Sequence, residues 1–451
     1  MAFDAVTDGY LNSAALAACF DARATVAAML AFEAALAAAA AELGLIPHAA
    51  ATLIGRTCVV DAFDLAAIKH APAASSSAAI PVVDQLTAAV AARDAEAALY
   101  VHWGSSTQDV MDSALMLQAR AGLDLLSATL DDINALLAAL VRAHRTTLMV
   151  ARTLSQHALP TTFGYKAALW LDALVNARAE LDRVRALLPL QFGGAAGTLA
   201  SFATVGLALR DAVACRLALR AVVPWHTDRT VVRSIACALA ITAAAAGKLG
   251  HDLILLQQNE IAEVAEAQAP GRGGSSALPH KHNPIASIAV VAGAHRMPGL
   301  LAALFACYDH SHERATGAWH AEWYSLRDMF VTVGSMIEQL ARALTDIEVN
   351  AAAMAGNLAR TRGLIMSEAV AMALAAHIGR GAAQSLVKNA VAEAGATQRD
   401  LGQVLTTNGE VVRLLGRDGL ARALAPAHYL GAIDALIDTV LERQATAAAA
   451  P

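Results

Sequence analysis

Residues 271–284 read Gly-Arg-Gly-Gly-Ser-Ser-Ala-Leu-Pro-His-Lys-His-Asn-Pro. The run gathers two hydroxyls (Ser275, Ser276), an ammonium (Lys281), two imidazoles (His280, His282) and an amide (Asn283). Those groups bind anions and move protons. Gly271, Gly273 and Gly274 each cost a helix about 1 kcal/mol relative to alanine, so the spacing predicts a loop between helices. Loops on rigid scaffolds often carry lids and catalytic groups. Asn283 followed by Pro284 fits a helix start, with Asn as the cap and Pro in the first turn. A plain Gly/Ser linker is the bland alternative, but it has no use for so many donors. A phosphate loop is excluded, because no Gly-Lys-Ser/Thr follows at the required spacing.

Three further stretches carry polar groups between apolar ones. In His102-Trp103-Gly104-Ser105-Ser106-Thr107-Gln108-Asp109, three hydroxyls precede an apolar helix expected from about Val110. They cap that helix or hold a carboxylate at its N-terminus, and both readings use the same donors. In residues 152–166, His157 stands among Gln156, Thr161 and Lys166, between two long apolar segments. Residues 312–323 combine Arg314 with His312, His320, Trp319 and Trp323, more than a simple turn between helices needs. His310, His312 and Glu313 make a weak metal pattern, and Glu260, Glu263 and Glu266 have no His or Cys at ligand spacing. Those carboxylates read as structural or solvated. Leu190–Ser201, rich in Gly and Ala, reads as a site of close helix packing.

These stretches need long helices to position them. The chain of 451 residues is 57% hydrophobic but only 4% aromatic, with much of the apolar content alanine, which favours closely packed helices. The expected fold is all-α in three helical domains: 1–109, 110–350 with the long helices, and 351–451. Ala22–Leu43 reads as an amphipathic helix. A helix beginning near Pro224 is expected to run to Gly247, another starts near Leu249, and shorter ones surround Gly363–Ala376 and Ala425–Arg443. Apolar runs such as Ile235–Gly247 are too short for about 30 Å of hydrocarbon, so no membrane is expected. The N-terminus lacks the basic start of a secretory signal, and a cytoplasmic location is expected. A net charge of −6 argues against a nucleic-acid partner. Five scattered cysteines without a CxxC pair read as buried reduced thiols.

The 271–284 loop resembles the Gly-Ser-Ser-x-x-Pro-x-Lys-x-Asn-Pro signature of the fumarase/aspartase superfamily, with Gly274, Ser275, Ser276, Pro279, Lys281, Asn283 and Pro284 in register. Leu278 replaces the usual methionine. The 102–109 stretch is similar to the family's His-x-Gly-x-Thr-Ser-x-Asp motif, with Ser106 and Thr107 exchanged. Arg152-Thr153 with Gln156 and Pro160-Thr161-Thr162 looks like a second family region. Leu154, however, stands where many of these lyases carry an acid/base histidine. Pro-Trp-His-Thr from Pro224, Leu190–Thr198 and the 312–323 stretch look most like the lactonising branch, whose members close a lactone ring on a carboxylated cis,cis-muconate.

That resemblance implies anti addition of a carboxylate through an aci-carboxylate carbanion, with no cofactor and no metal. It implies Ser275 and Lys281 as catalytic residues; His157, three residues past the family histidine's position, is added to them as an assistant to Gln156. His102, Ser106, Thr107, Gln156, Ser276, Asn283 and Arg314 would bind a small tricarboxylate. It implies a homotetramer with sites shared between subunits. Two alternatives stay open: a C–N lyase acting on adenylosuccinate or another substituted succinate, and a non-enzymatic helical scaffold.

Overall fold

The computed structural model describes residues 6–267, 273, 274, 278 and 280–449. Among them the fold is all-α, apart from one antiparallel hairpin and a two-residue strand pair (Val264–Ala265 with Glu348–Val349). Helix α1, Ala22–Glu42, starts where the Asp21 carboxylate accepts the Ala24 N–H at 2.7 Å. The long helices are α2 (Thr107–Ala143), α3 (Phe163–Arg185), α4 (Thr230–Leu256), α5 (Ile285–Ala306) and α6 (Ala318–Leu344).

The chain divides into two compact units. The first comprises residues 1–130, 177–247 and 289–338, and the second residues 131–176, 248–288 and 339–451. The boundaries between these ranges fall within α2, α3, α4, α5 and α6. In the first unit, Met116, Leu123, Leu209 and Phe330 are fully buried, and Phe20 packs on Phe330 with centroids 4.9 Å apart. In the second, Leu374, Leu401, Leu405 and Val411 centre a core formed by the helices after Ser367.

Several sequence expectations change. Gly247 does not end a helix: α4 runs through it to Leu256. A Cβ at Gly247 would stand 2.6 Å from the Ala294 Cβ, so the glycine permits a close approach of α4 and α5. The 224–229 segment precedes α4 rather than opening it, with the Asp228 carboxylate accepting the Thr230 N–H at 3.0 Å. Glu260, Glu263 and Glu266 follow the end of α4 instead of lining it. Of the cysteines, Cys307 alone is buried and Cys215 is exposed.

Residues 148–162, which lack a strand signature, form the hairpin. Strand β1 (Leu148–Thr153) pairs with β2 (Gln156–Thr162), with Leu148 opposite Thr162 and Thr153 opposite Gln156. The two turn residues, Leu154 and Ser155, have φ of 50° and 62°. Such turns usually carry Asn-Gly, which is why the sequence hid this one.

Helix length does not exclude a membrane. Ala14–Glu42, α4 and α5 are each long and apolar enough to span one. Run length misled because these helices continue past the residues that interrupt the apolar pattern. Only 28% of the most apolar stretch of α5 is buried within the chain.

Candidate active site

In the first unit, the site is built around the N-terminus of α2. Asp109, in the first turn and fully buried, accepts five hydrogen bonds. Its Oδ2 takes the Ser106 N–H and O–H at 3.0 Å each and the Gly194 N–H at 2.8 Å. Its Oδ1 takes the Gly193 N–H and the Gln191 Nε2–H at 2.9 Å each. One carboxylate thus ties the 105–107 loop to the Gly/Ala loop after Leu190. That second loop is a component of the site, not a helix-packing turn. A Cβ on Gly193 would meet His226 Cε1 at 2.8 Å and Pro224 Cβ at 2.7 Å, so this crossing requires glycine.

Gln191 fixes the adjacent chain, since its Oε1 accepts the Trp225 N–H at 2.7 Å. The His226 ring, buried, places Nε2 3.0 Å from Gln191 Nε2 and 3.4 Å from Asp109 Oδ1. Below lies a second buried layer. The Arg229 guanidinium donates to both oxygens of Asp112 at 2.7 and 3.0 Å, and through Nε to Glu322 at 2.9 Å. Trp319 and Gln108 also donate to Asp112, and His310 Nε2 lies 3.0 Å from Glu322 Oε1. Burial works against the guanidinium charge, but Asp112 and Glu322 outweigh it and hold Arg229 charged. His310 is thus a buried partner of Glu322. Among the described residues no three His, Cys, Asp or Glu side chains converge as metal ligands.

Four predicted ligands lie in this unit, and two of them touch. Arg314 Nη2 donates to Ser106 Oγ at 3.1 Å and to the Ala195 carbonyl at 3.2 Å. Its Nε and the Ser105 Oγ are buried without partners among the described residues. Ser106 spends its hydroxyl between Asp109 and Arg314, while Thr107 has no hydrogen bond recorded for its hydroxyl among these residues. His102, at φ 55°, places Nδ1 2.6 Å from Oε1 of the buried Glu33. Burial alone would lower the His102 pKa. The hydrogen bond and charge of Glu33 outweigh that, with help from Asp109, and raise it. His102 therefore keeps a positive charge to higher pH than a free imidazole.

The second unit holds the others. Gln156, exposed, and His157, half-buried, open β2. Burial lowers the His157 pKa and the Arg152 charge adds to that, so the ring favours its neutral form. The Arg152 guanidinium donates to both oxygens of Glu263 at 2.8 Å, and Glu263 also accepts the Asn357 amide at 2.8 Å. Glu266, not Asn283, caps α5: its carboxylate accepts the Ala286 and Ser287 N–H groups at 3.2 and 2.9 Å. Asn283 instead closes the base of the 273–283 loop, donating its N–H to the Gly273 carbonyl at 2.9 Å, beside a Gly274–His282 bridge. Lys281 is exposed. Ser275 and Ser276 lie outside the described residues.

Glu33, Gln191, His226 and Arg229 were missed as site residues. Gln191 and His226 sit inside the two segments that carried the lactonising resemblance, the available signal for them. Glu33 and Arg229 had none, because a charged residue within a helical pattern reads as solvated.

A family model described as lyase matches residues 3–299, and one described as adenylosuccinate lyase C-terminus matches residues 363–440. The chain is 44% identical over 434 residues to the 3-carboxy-cis,cis-muconate cycloisomerase of Bradyrhizobium diazoefficiens, covering 96% of each. It is 40% identical over 422 residues to the nitrosuccinate lyase of Streptomyces davaonensis, covering 92% of this chain and 89% of that one. The crystal structure of 3-carboxy-cis,cis-muconate lactonizing enzyme from Pseudomonas putida matches with a TM-score of 0.92 at 40% identity, over 98% of this chain and 100% of that one. With a glycine-rich signature loop, a carboxylate-clamped helix start and these matches along its length, the chain belongs to the lyase family of the fumarase/aspartase superfamily.

Proposed function

We propose that the protein is a 3-carboxy-cis,cis-muconate cycloisomerase, forming 4-carboxymuconolactone in protocatechuate breakdown. One substrate carboxylate attacks the ring-forming carbon, the adjacent carbon becomes an aci-carboxylate carbanion, and a proton is then delivered to it. Ser275 delivers the proton, and N–H groups of its Gly-rich loop stabilise the alkoxide left behind. Lys281 and Asn283 bind the carboxylate whose charge grows. Ser276, Thr107, Gln156, Arg314 and His102 hold the rest of the substrate, with Ser106 serving through its bond to Arg314. His157, neutral, assists Gln156.

Leu154 carries the choice of reaction. It is 98% exposed at the hairpin turn, in the position where related lyases place an acid/base histidine. An amine leaving group needs such an acid, whereas a carboxylate forming or breaking a lactone bond needs much less help. The test follows the ultraviolet absorbance of 3-carboxymuconate with purified protein. A C–N lyase is the second reading, favoured by the 40% identity to a nitrosuccinate lyase. Turnover of nitrosuccinate or adenylosuccinate with none of 3-carboxymuconate selects it.

The assembly is part of the proposal. The division 1–109, 110–350 and 351–451 assigns the intersubunit helices to the middle region, and the uncovered apolar face of α5 fits the core of a homotetramer. The segments around Thr107, Gln156 and Ser275 then come from different subunits of a cytoplasmic enzyme. Thr107→Ala and Ser275→Ala, each inactive alone, should regain part of the activity when dissociated and reassembled together. Mixed tetramers confirmed by mass but inactive would rule out shared sites for this pair.

Asp109 supplies a separate expectation. In Asp109→Asn an amide NH2 faces N–H donors, so the 105–107 and 192–195 loops separate. A shift of about 1 Å in ligand groups costs on the order of 100-fold in rate. kcat/KM for 3-carboxymuconate should fall by about that factor, and an unchanged value would mean that the two loops hold their places without this clamp.

A further inference from the structure

Charges around the start of α3 do not balance. Lys166 stands in its first turn, half-buried, with no hydrogen bond or ion pair recorded among the described residues. The charged groups facing it are Arg152 from β1, Glu263 from the segment after α4, and Lys248 and Asp252 from α4. Both carboxylates are already engaged. Glu263 holds Arg152 through both oxygens and accepts Asn357, all at 2.8 Å. Asp252 accepts the Trp170 indole N–H at 2.7 Å and pairs with Lys248. Three cations therefore share two carboxylates, and the one left over is Lys166.

A half-buried ammonium without a partner has given up part of its hydration and gained no compensating bond. Burial accordingly lowers the Lys166 pKa. An arriving anion would supply that bond. His157, on the neighbouring β2, faces the same Arg152–Glu263 pair, so Lys166 shares its surroundings with a residue already assigned to substrate.

We propose that Lys166 binds a substrate carboxylate and makes this unit selective for tricarboxylates over dicarboxylates, an inference that rests on the functional reading above. The probes are propane-1,2,3-tricarboxylate and glutarate, neither of which can lactonise, titrated calorimetrically into the full-length protein. Lys166→Met should weaken tricarboxylate binding by about 10- to 100-fold, the scale of one hydrogen bond to a charged group, and glutarate binding by no more than about threefold. Lys166→Arg should bind the tricarboxylate within about threefold of wild type near neutral pH. It should also keep that affinity at alkaline pH, where the wild type loses its ammonium and weakens.

Equal weakening for both probes, no weakening, or no tricarboxylate binding by the wild type overturns the inference. Should Lys166→Met fail to fold, coincident pH profiles of wild type and Lys166→Arg overturn it instead. Wild-type turnover of 3-carboxymuconate is measured alongside. Its absence, with the selective loss of tricarboxylate binding retained, removes the functional reading and keeps the carboxylate site.

Discussion

Ser275→Ala is expected to cut turnover by about 100-fold or more, the scale of one lost acid/base group, with substrate affinity changed only a few-fold. The substitution removes one hydroxyl and leaves the base of its loop intact. That base is closed by Asn283 on the Gly273 carbonyl and by the Gly274–His282 bridge, neither of which involves the serine side chain. Lys281 and Asn283, the proposed ligands of the carboxylate, are unchanged. Binding and chemistry therefore separate, and single-turnover absorbance traces at saturating substrate read the chemical step alone. Turnover near that of wild type would move the proton-transfer role to His157, the neutral imidazole at the start of β2.

Arg229→Met should destabilise the protein by about 3–5 kcal/mol, the cost of removing one partner from a buried ion pair. Asp112 and Glu322 are 2% and 4% exposed and would be left buried without the guanidinium between them. Methionine fills part of the volume but donates no hydrogen bond. Urea unfolding of the variant and wild type at equal protomer concentration measures the difference. A loss below about 1 kcal/mol would mean that water or rearranged donors satisfy both carboxylates.

The sequence was most legible where residue type alone specifies conformation. Glycines at 271, 273 and 274 and the Asn-Pro step announced a loop between helices, and α5 does begin at Ile285. Three hydroxyls before an apolar run announced the start of α2, which lies at Thr107 rather than near Val110. Long-range pairing was not legible. Arg229, Asp112, Glu322 and His310 come from four separated segments, and nothing local in any of them indicates burial. Gly247 misled because glycine reads as a helix stop, whereas its missing Cβ serves the contact with Ala294. The hairpin stayed hidden because its turn is Leu-Ser. The roles of the 271–284 loop came from resemblance, since Ser275 and Ser276 lie outside the described residues.

Leu154 has a consequence for how reactions diverge on this fold. Its side chain contributes almost nothing to the core, and its backbone already carries the φ penalty that any non-glycine residue would meet there. Histidine and asparagine tolerate that region better than leucine does. Exchanging this residue therefore costs the folded chain little, whichever way the exchange runs. Whether the turn offers a proton or an inert hydrocarbon is decided almost independently of stability. Under the proposed mechanism, single substitutions at this turn move a lineage between leaving groups that need an acid and those that do not, without loss of the fold.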